Sequence, residues 1–303
     1  VSGENANETT CIYADLYKDN LTISISLAGS PLYKRGYRGT LSASAPLRED
    51  AASCCIQKSL LFAKTLNKNF LPNTLLIPFS GTGTFAFEYL QSYFNFSPIL
   101  FEREFALQKM PLFRKEHFNF ILKKAIEHCL FTTNINNNHN TPDAGNISNI
   151  HNIHFICIDN SNNANSALLQ NITIFKNAMV QRGLIFPDKV FSQMSDDFIA
   201  MDIKKLITAE NHHIGNIFIP LNPPYGVRLS KNANTMTLYK KIASKINDLA
   251  TLTKAAQKNI LGFILCPNEE TWSIFCEYLH DFKIETYHFT QGGLDIRVCQ
   301  FYV

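Results

Sequence analysis

The chain has 303 residues, 46% of them hydrophobic, and a net charge of +3. That supplies a sizeable core, with length alone suggesting roughly two domains. The mild basicity permits a nucleic-acid partner without requiring one, and no apolar run reaches the ~18 residues that a membrane helix needs.

The segment IYADLYKDNLTISISLAG alternates apolar and polar residues on either side of Lys18-Asp19-Asn20, which predicts a β-hairpin. Residues 31–47 are loop-like and basic, and Arg48 to Leu66 is helical in pattern. A regular series follows. Strands are expected at Thr74–Ile77, His154–Ile158, Val190–Gln193, Asn216–Leu221 and Leu261–Cys266. Helical patterns fall between them: from about Thr84, up to about Lys176, over Met236–Leu249, and from Asn268 to Leu279. Lys283–Phe289 and Leu294–Tyr302 close the chain as a strand pair around Gly292-Gly293.

Strands alternating with helices imply an α/β fold, a doubly wound, mostly parallel seven-stranded sheet. Residues 1–66 are expected to form an N-terminal hairpin, basic loop and helix packed on a domain of residues 67–303. Residues 132–153 interrupt the rhythm with an Asn-rich insertion in which scattered His are read as loop and not as metal ligands. The eight cysteines show no CxxC and no zinc-type spacing. They read as reduced, mostly buried thiols of a cytoplasmic protein, with no metal and no membrane partner.

Ligands of doubly wound sheets bind beyond the carboxyl ends of the strands. Four features sit at such ends. The first is Pro78-Phe79-Ser80-Gly81-Thr82-Gly83-Thr84, where two glycines let the backbone approach a ligand at a helix N-terminus. It lacks a Walker lysine, and Ala86 stands where a dinucleotide fingerprint needs a third glycine. A plain strand-to-helix turn fits it equally. The second is Asp159, either a ribose acceptor or a helix cap, and the third is Asp197, which reads the same two ways.

The fourth is Asn222-Pro223-Pro224-Tyr225. An amide oxygen and a proline carbonyl are two acceptors for one exocyclic –NH2, whose lone pair they would draw out of ring conjugation. The prolines fix the geometry in advance. The tyrosine offers a face on which a base stacks, worth ~1–3 kcal/mol. Two rigid rings closing an apolar strand are otherwise a plain proline turn.

NPPY with PFSGTGT resembles the class I, S-adenosylmethionine-dependent amino-methyltransferases, whose fold is Rossmann-like. Four stretches resemble the THUMP-associated RNA methyltransferases, in the branch with the bacterial 23S rRNA guanine-N2 methyltransferase. They are LAGSPLYKRGYRGTLSASAPLRED (27–50), FALQKMPLFRKEHF (105–118), NPPYGVRLS (222–230) and QGGLDIRV (291–298). The resemblance implies S-adenosyl-L-methionine as cofactor, with Pro78 to Thr84 on its methionine part, Asp159 on the ribose and Asp197 near the adenine amine. It implies Asn222, Pro223 and Tyr225 around the target amine, guanine N2 of rRNA, with adenine N6 of DNA or RNA and a non-catalytic RNA-binding relic as alternatives. Lys34, Arg35 and Arg38 are the expected RNA contacts. The family's THUMP domain has no room before Ile12 and is expected to be missing from this chain. The family also places an acid before the Pro-Phe, where this chain has Ile77. Losing a hydrogen bond to the cofactor's ammonium would cost ~10- to 100-fold in affinity.

Overall fold

The structure is a computed structural model that describes residues 10–41, 47–131, 153–186, 190–208, 215–224, 232–291 and 293–303. Tyr225, the Asn-rich insertion up to residue 152 and Gly292 lie outside the described residues.

The chain divides into two compact units. The larger comprises residues 40–89, 138–170 and 187–303. Its strands are β3 (Thr74–Pro78), β4 (His154–Ile158), β5 (Phe191–Met194), β6 (Ile217–Leu221), β7 (Ile260–Cys266), β8 (Lys283–Gln291) and β9 (Leu294–Tyr302). They form one seven-stranded sheet in the order β5-β4-β3-β6-β7-β9-β8. The first five run parallel; β9 is antiparallel to β7 and to β8. Strands β3, β6 and β7 read TLLIP, IFIPL and ILGFILC and are buried throughout, as strands covered on both faces must be.

One face packs Leu76, Ile158, Ile219, Leu221 and Ile264 with Tyr239, Ile242 and Ile246 of α6 (Asn232–Ala255) and Phe275 of α7 (Glu269–Tyr278). The other is aromatic. From α2 (Thr84–Tyr93), Phe85 meets Phe263 edge-on, and Tyr89 meets Phe155 and Phe218. Helix α1 (Glu49–Leu66) packs on β7 and β9. Its acids lie in the first turn and Lys64 in the last, both favourable to the helix dipole. Asn268 caps α7, its side-chain oxygen accepting from the Thr271 N–H at 2.9 Å. Helices α4 (Asn162–Gln181) and α5 (Ile203–Thr208) follow β4 and β5. Gly262 sits where a Cβ would lie 2.2 Å from the ring of its cross-strand partner Phe301, so this β7 position must lack a side chain for that ring to lie over it.

The smaller unit comprises residues 1–39, 90–137 and 171–186. Its hairpin, β1 (Ile12–Tyr17) and β2 (Asn20–Ile25), pairs Ile12 with Ile25 and turns at Lys18 and Asp19, both at positive φ. Every residue of both strands is exposed. The core is aromatic: Phe94 stacks on Phe131 at 3.8 Å, and Phe96 and Phe101 both meet Phe175. Tyr37, from KRGYR, is wholly buried and packs 6.1 Å from Phe101. Helix α3 (Lys115–Glu127) buries none of its residues completely.

Candidate active site at the strand switch

The sheet order reverses between β3 and β6, because the chain runs outward from β3 to β5 and returns beside β3. The β3–β6 ladder holds Thr74 to Ile217 and Leu75 to Phe218 and stops there. Pairing of β6 with β7 continues through Pro220 and Leu221. Pro220 has no N–H with which to extend a ladder toward β3. The two strand ends therefore part where ligands of this architecture enter. Pro220 was not singled out from the sequence, although a proline inside an apolar strand is itself a signal.

The glycine turn lies on the β3 side of this gap. Phe79, Gly81 and Gly83 all adopt positive φ, of 55°, 54° and 83°. A left-handed phenylalanine is strained, by about 1–3 kcal/mol, and such strain gathers at binding sites. The turn is held by the Ser80 N–H donating to the Ile158 carbonyl at 3.1 Å and the Gly83 N–H to the Ser80 carbonyl at 2.8 Å. A Cβ on Gly83 would stand 2.4 Å from Leu168 Cδ1, so this glycine also admits the α4 side chain. A Cβ on Gly81 would meet only the Phe79 carbonyl, at 4.0 Å, leaving that side of the turn open.

Asp159, one residue past β4, takes the Gly81 N–H on Oδ2 at 2.9 Å and the Ser161 N–H on Oδ1 at 2.9 Å. The helix cap at α4 is Ser161, whose Oγ accepts from the Ala164 N–H at 3.3 Å. Asp159 thus braces the glycine turn, with a lone pair left on each oxygen. Asn165, absent from the sequence reading, donates its amide to the Asp159 carbonyl at 3.0 Å and to Ser195 Oγ at 3.1 Å, tying the ends of β4 and β5 together. Asp197 is exposed and accepts the Ile199 N–H at 2.8 Å, closing a local turn. That turn seats Phe198, buried and edge-on to Phe79 at 6.2 Å.

Across the gap, Asn222 follows Leu221 directly. Its side-chain oxygen is buried and finds no hydrogen-bond partner among the described residues. The Ser80 hydroxyl is in the same state. Each such atom costs about 1–3 kcal/mol, so two of them at one strand switch ask for a ligand. Pro223 is buried and Pro224 half-buried. Ile77 is fully buried in β3 beside Cys157, whose thiol burial pushes up to about 12. Thr82 and Thr84 are buried in the turn, their hydroxyls 3.5 Å apart. Beyond β7 lies a polar cavity of about 160 Å³ lined by Cys266, Glu269, His288, Asp295 and Arg297. Arg297 pairs with Glu269 and lies 4.7 Å over the Trp272 ring.

Residues 31–39 of the basic loop belong to the smaller unit. Lys34 is exposed, whereas Arg35 and Arg38 are half-buried and engaged within the chain. Arg103 organises the loop, donating to the carbonyls of Ser30, Pro31 and Lys34. Burial, then the neighbouring Arg35 guanidinium, lowers its pKa from the usual arginine value. No helix among the described residues is long and apolar enough to cross a membrane, and no cluster there has the make-up of a metal site.

No family model matches the chain. It is 26% identical over 238 residues to a protein of Psychromonas ingrahamii named Ribosomal RNA large subunit methyltransferase K/L. That match covers 77% of this chain and 26% of the relative, so the chain spans about a quarter of the relative's length. Among solved structures, a possible methylase from Clostridium difficile 630 superposes with a TM-score of 0.65 at 22% identity, over 97% of this chain and 62% of that one. A protein assigned as a methyltransferase and crystallised with SAH does so with a TM-score of 0.65 at 20% identity, over 96% and 61%. The strand order, the glycine turn and these superpositions agree that the chain has the Rossmann-like fold of the class I methyltransferases.

Proposed function

We propose that the chain methylates an exocyclic amine of an RNA base, guanine N2 of large-subunit rRNA, with S-adenosyl-L-methionine as cofactor and in the cytoplasm. The carrying observation is the buried amide oxygen of Asn222, without a hydrogen-bond partner among the described residues, at the open strand switch. The name of the Psychromonas relative supports an rRNA substrate.

The residues fit the cofactor: Gly81 leaves its side of the turn open, and the Ser80 hydroxyl lacks a partner among the described residues. Pro78, Phe79, Ser80, Gly81, Thr82, Gly83 and Thr84 would hold the methionine part, Asp159 the ribose and Asp197 the adenine amine. When bound, the cofactor supplies an electrophilic methyl group. Asn222 Oδ1 and the Pro223 carbonyl accept the two N–H groups of the target amine and leave its lone pair pointing away from the ring. Pro224 holds this geometry, and Tyr225 would stack on the base. The base must leave its stack to arrive there. No strong base is required, because the nitrogen becomes acidic once alkylated.

Replacing Asn222 by alanine removes one preorganised acceptor. Turnover on unmodified 23S rRNA should fall about 100-fold or more, while calorimetric S-adenosylmethionine affinity stays within about threefold. Undiminished transfer in Asn222→Ala would refute the assignment.

A further inference from the structure

Helix α3 carries one stripe that the site does not use. His117, Phe120, Ile121, Lys124 and His128 follow a helical spacing that places them on one face. All five are exposed, Phe120 at 61% and Ile121 at 54%. The opposite side, with Phe118, Leu122, Ala125 and Ile126, is half-buried, and Phe118 meets Phe105 and Phe113 edge-on or tilted. The helix is therefore docked by one side and open on the other. Lys124 Nζ stands 5.8 Å from the Phe120 ring centroid, and Leu112, just ahead of the helix, is 82% exposed.

Charge decides what fits. The smaller unit holds twelve Lys and Arg against eight Asp and Glu, and the larger sixteen against seventeen. The chain's positive excess thus belongs to the unit that bears α3; on the helix itself Lys123 and Lys124 share Glu127, at 3.9 and 2.7 Å, and Arg114 and Lys115 stand at its start. An exposed ring set among cations is the pattern that binds unpaired bases by stacking and their phosphates by charge. A protein partner would use the apolar groups but has no need of the basic excess.

We infer that the exposed face of α3 docks a single-stranded segment of the RNA substrate, outside the reacting nucleotide. This rests on the RNA reading proposed above. Phe120 supplies the stacking face; Lys124 and the two histidines line the backbone path.

The test measures binding of a fluorescein-labelled oligouridylate to the whole chain at several salt concentrations. Phe120→Ala should weaken binding about tenfold. Lys124→Ala should reduce the slope of log affinity against log salt by about 0.7. Both side chains are exposed, so the melting temperature should hold. Unchanged affinity and slope in both variants would overturn the proposal. So would displacement by poly-glutamate as effective as by RNA with Phe120→Ala silent, since the face would then be a general anion surface or a site for an acidic protein. Asn222→Ala separates the two claims: if it abolishes turnover while the α3 variants bind normally, only the docking face is wrong. If it leaves turnover intact, the methyl-transfer reading fails.

Discussion

Asn222 and Ile77 face the same question from opposite directions, since one has a buried oxygen without a partner among the described residues and the other is an apolar side chain where the resembled family places a charge. Ile77 is fully buried, so the β3 position is packed as core. Ile77→Asp should lower stability by about 3 kcal/mol or more in denaturant titration, as an unpaired buried carboxylate does. Unchanged stability with tighter cofactor binding would show instead that this position looks onto the cofactor. Asp159 is already committed to two backbone N–H groups. Asp159→Asn keeps only one of the two backbone acceptors, sets an NH2 against the other N–H and removes the charge, so calorimetric cofactor affinity should fall about tenfold or more, with a loss of stability that denaturant titration reads separately. Equal affinity would reduce Asp159 to a brace. Gly83→Ala combines a positive φ with a contact of 2.4 Å and should cost about 2 kcal/mol or more.

Among the elements, the hairpin β1–β2 is the weak one. Its face of Ile12, Ala14, Leu16, Leu21, Ile23 and Ile25 is exposed, and an isolated hairpin is marginal in water. Its backbone amides should exchange with solvent orders of magnitude faster than those of β3 and β7. Equal protection would mean that the face is covered in solution. The sheet strands were legible because continuous apolar runs ended on glycine, acid or proline; β4 runs from His154 to Ile158 as expected. Helix α4 runs on to Gln181 and α6 from Asn232 to Ala255, beyond the expected limits, because polar residues continue a helix without breaking its pattern. Helix α3 went unread although its pattern is amphipathic: Arg114 makes no side-chain cap, so no start signal marks it. Arg103 was equally silent, since its partners are backbone carbonyls about seventy residues away. In KRGYR, Tyr37 is buried and Arg35 and Arg38 are engaged within the chain, so the stretch whose Lys34, Arg35 and Arg38 were expected to contact RNA also serves packing.

At the scale of the molecule, one arrangement accounts for the position of every sheet-borne motif residue that the structure describes. The glycine turn, Asp159, Asp197 and Asn222 all follow the carboxyl ends of adjacent parallel strands, around the point where strand order reverses. Pro220, inside β6, ends the ladder toward β3, and Pro223, two residues beyond the strand, is the proposed second acceptor beside Asn222. The most direct test of the whole account is product analysis. The chain is incubated with unmodified 23S rRNA transcript and methyl-labelled S-adenosylmethionine, and the RNA is digested to nucleosides and separated. Label in N2-methylguanosine, lost with Asn222→Ala, is the predicted result. Label in N6-methyladenosine would contradict the guanine assignment, and no label above background would contradict the account at its centre.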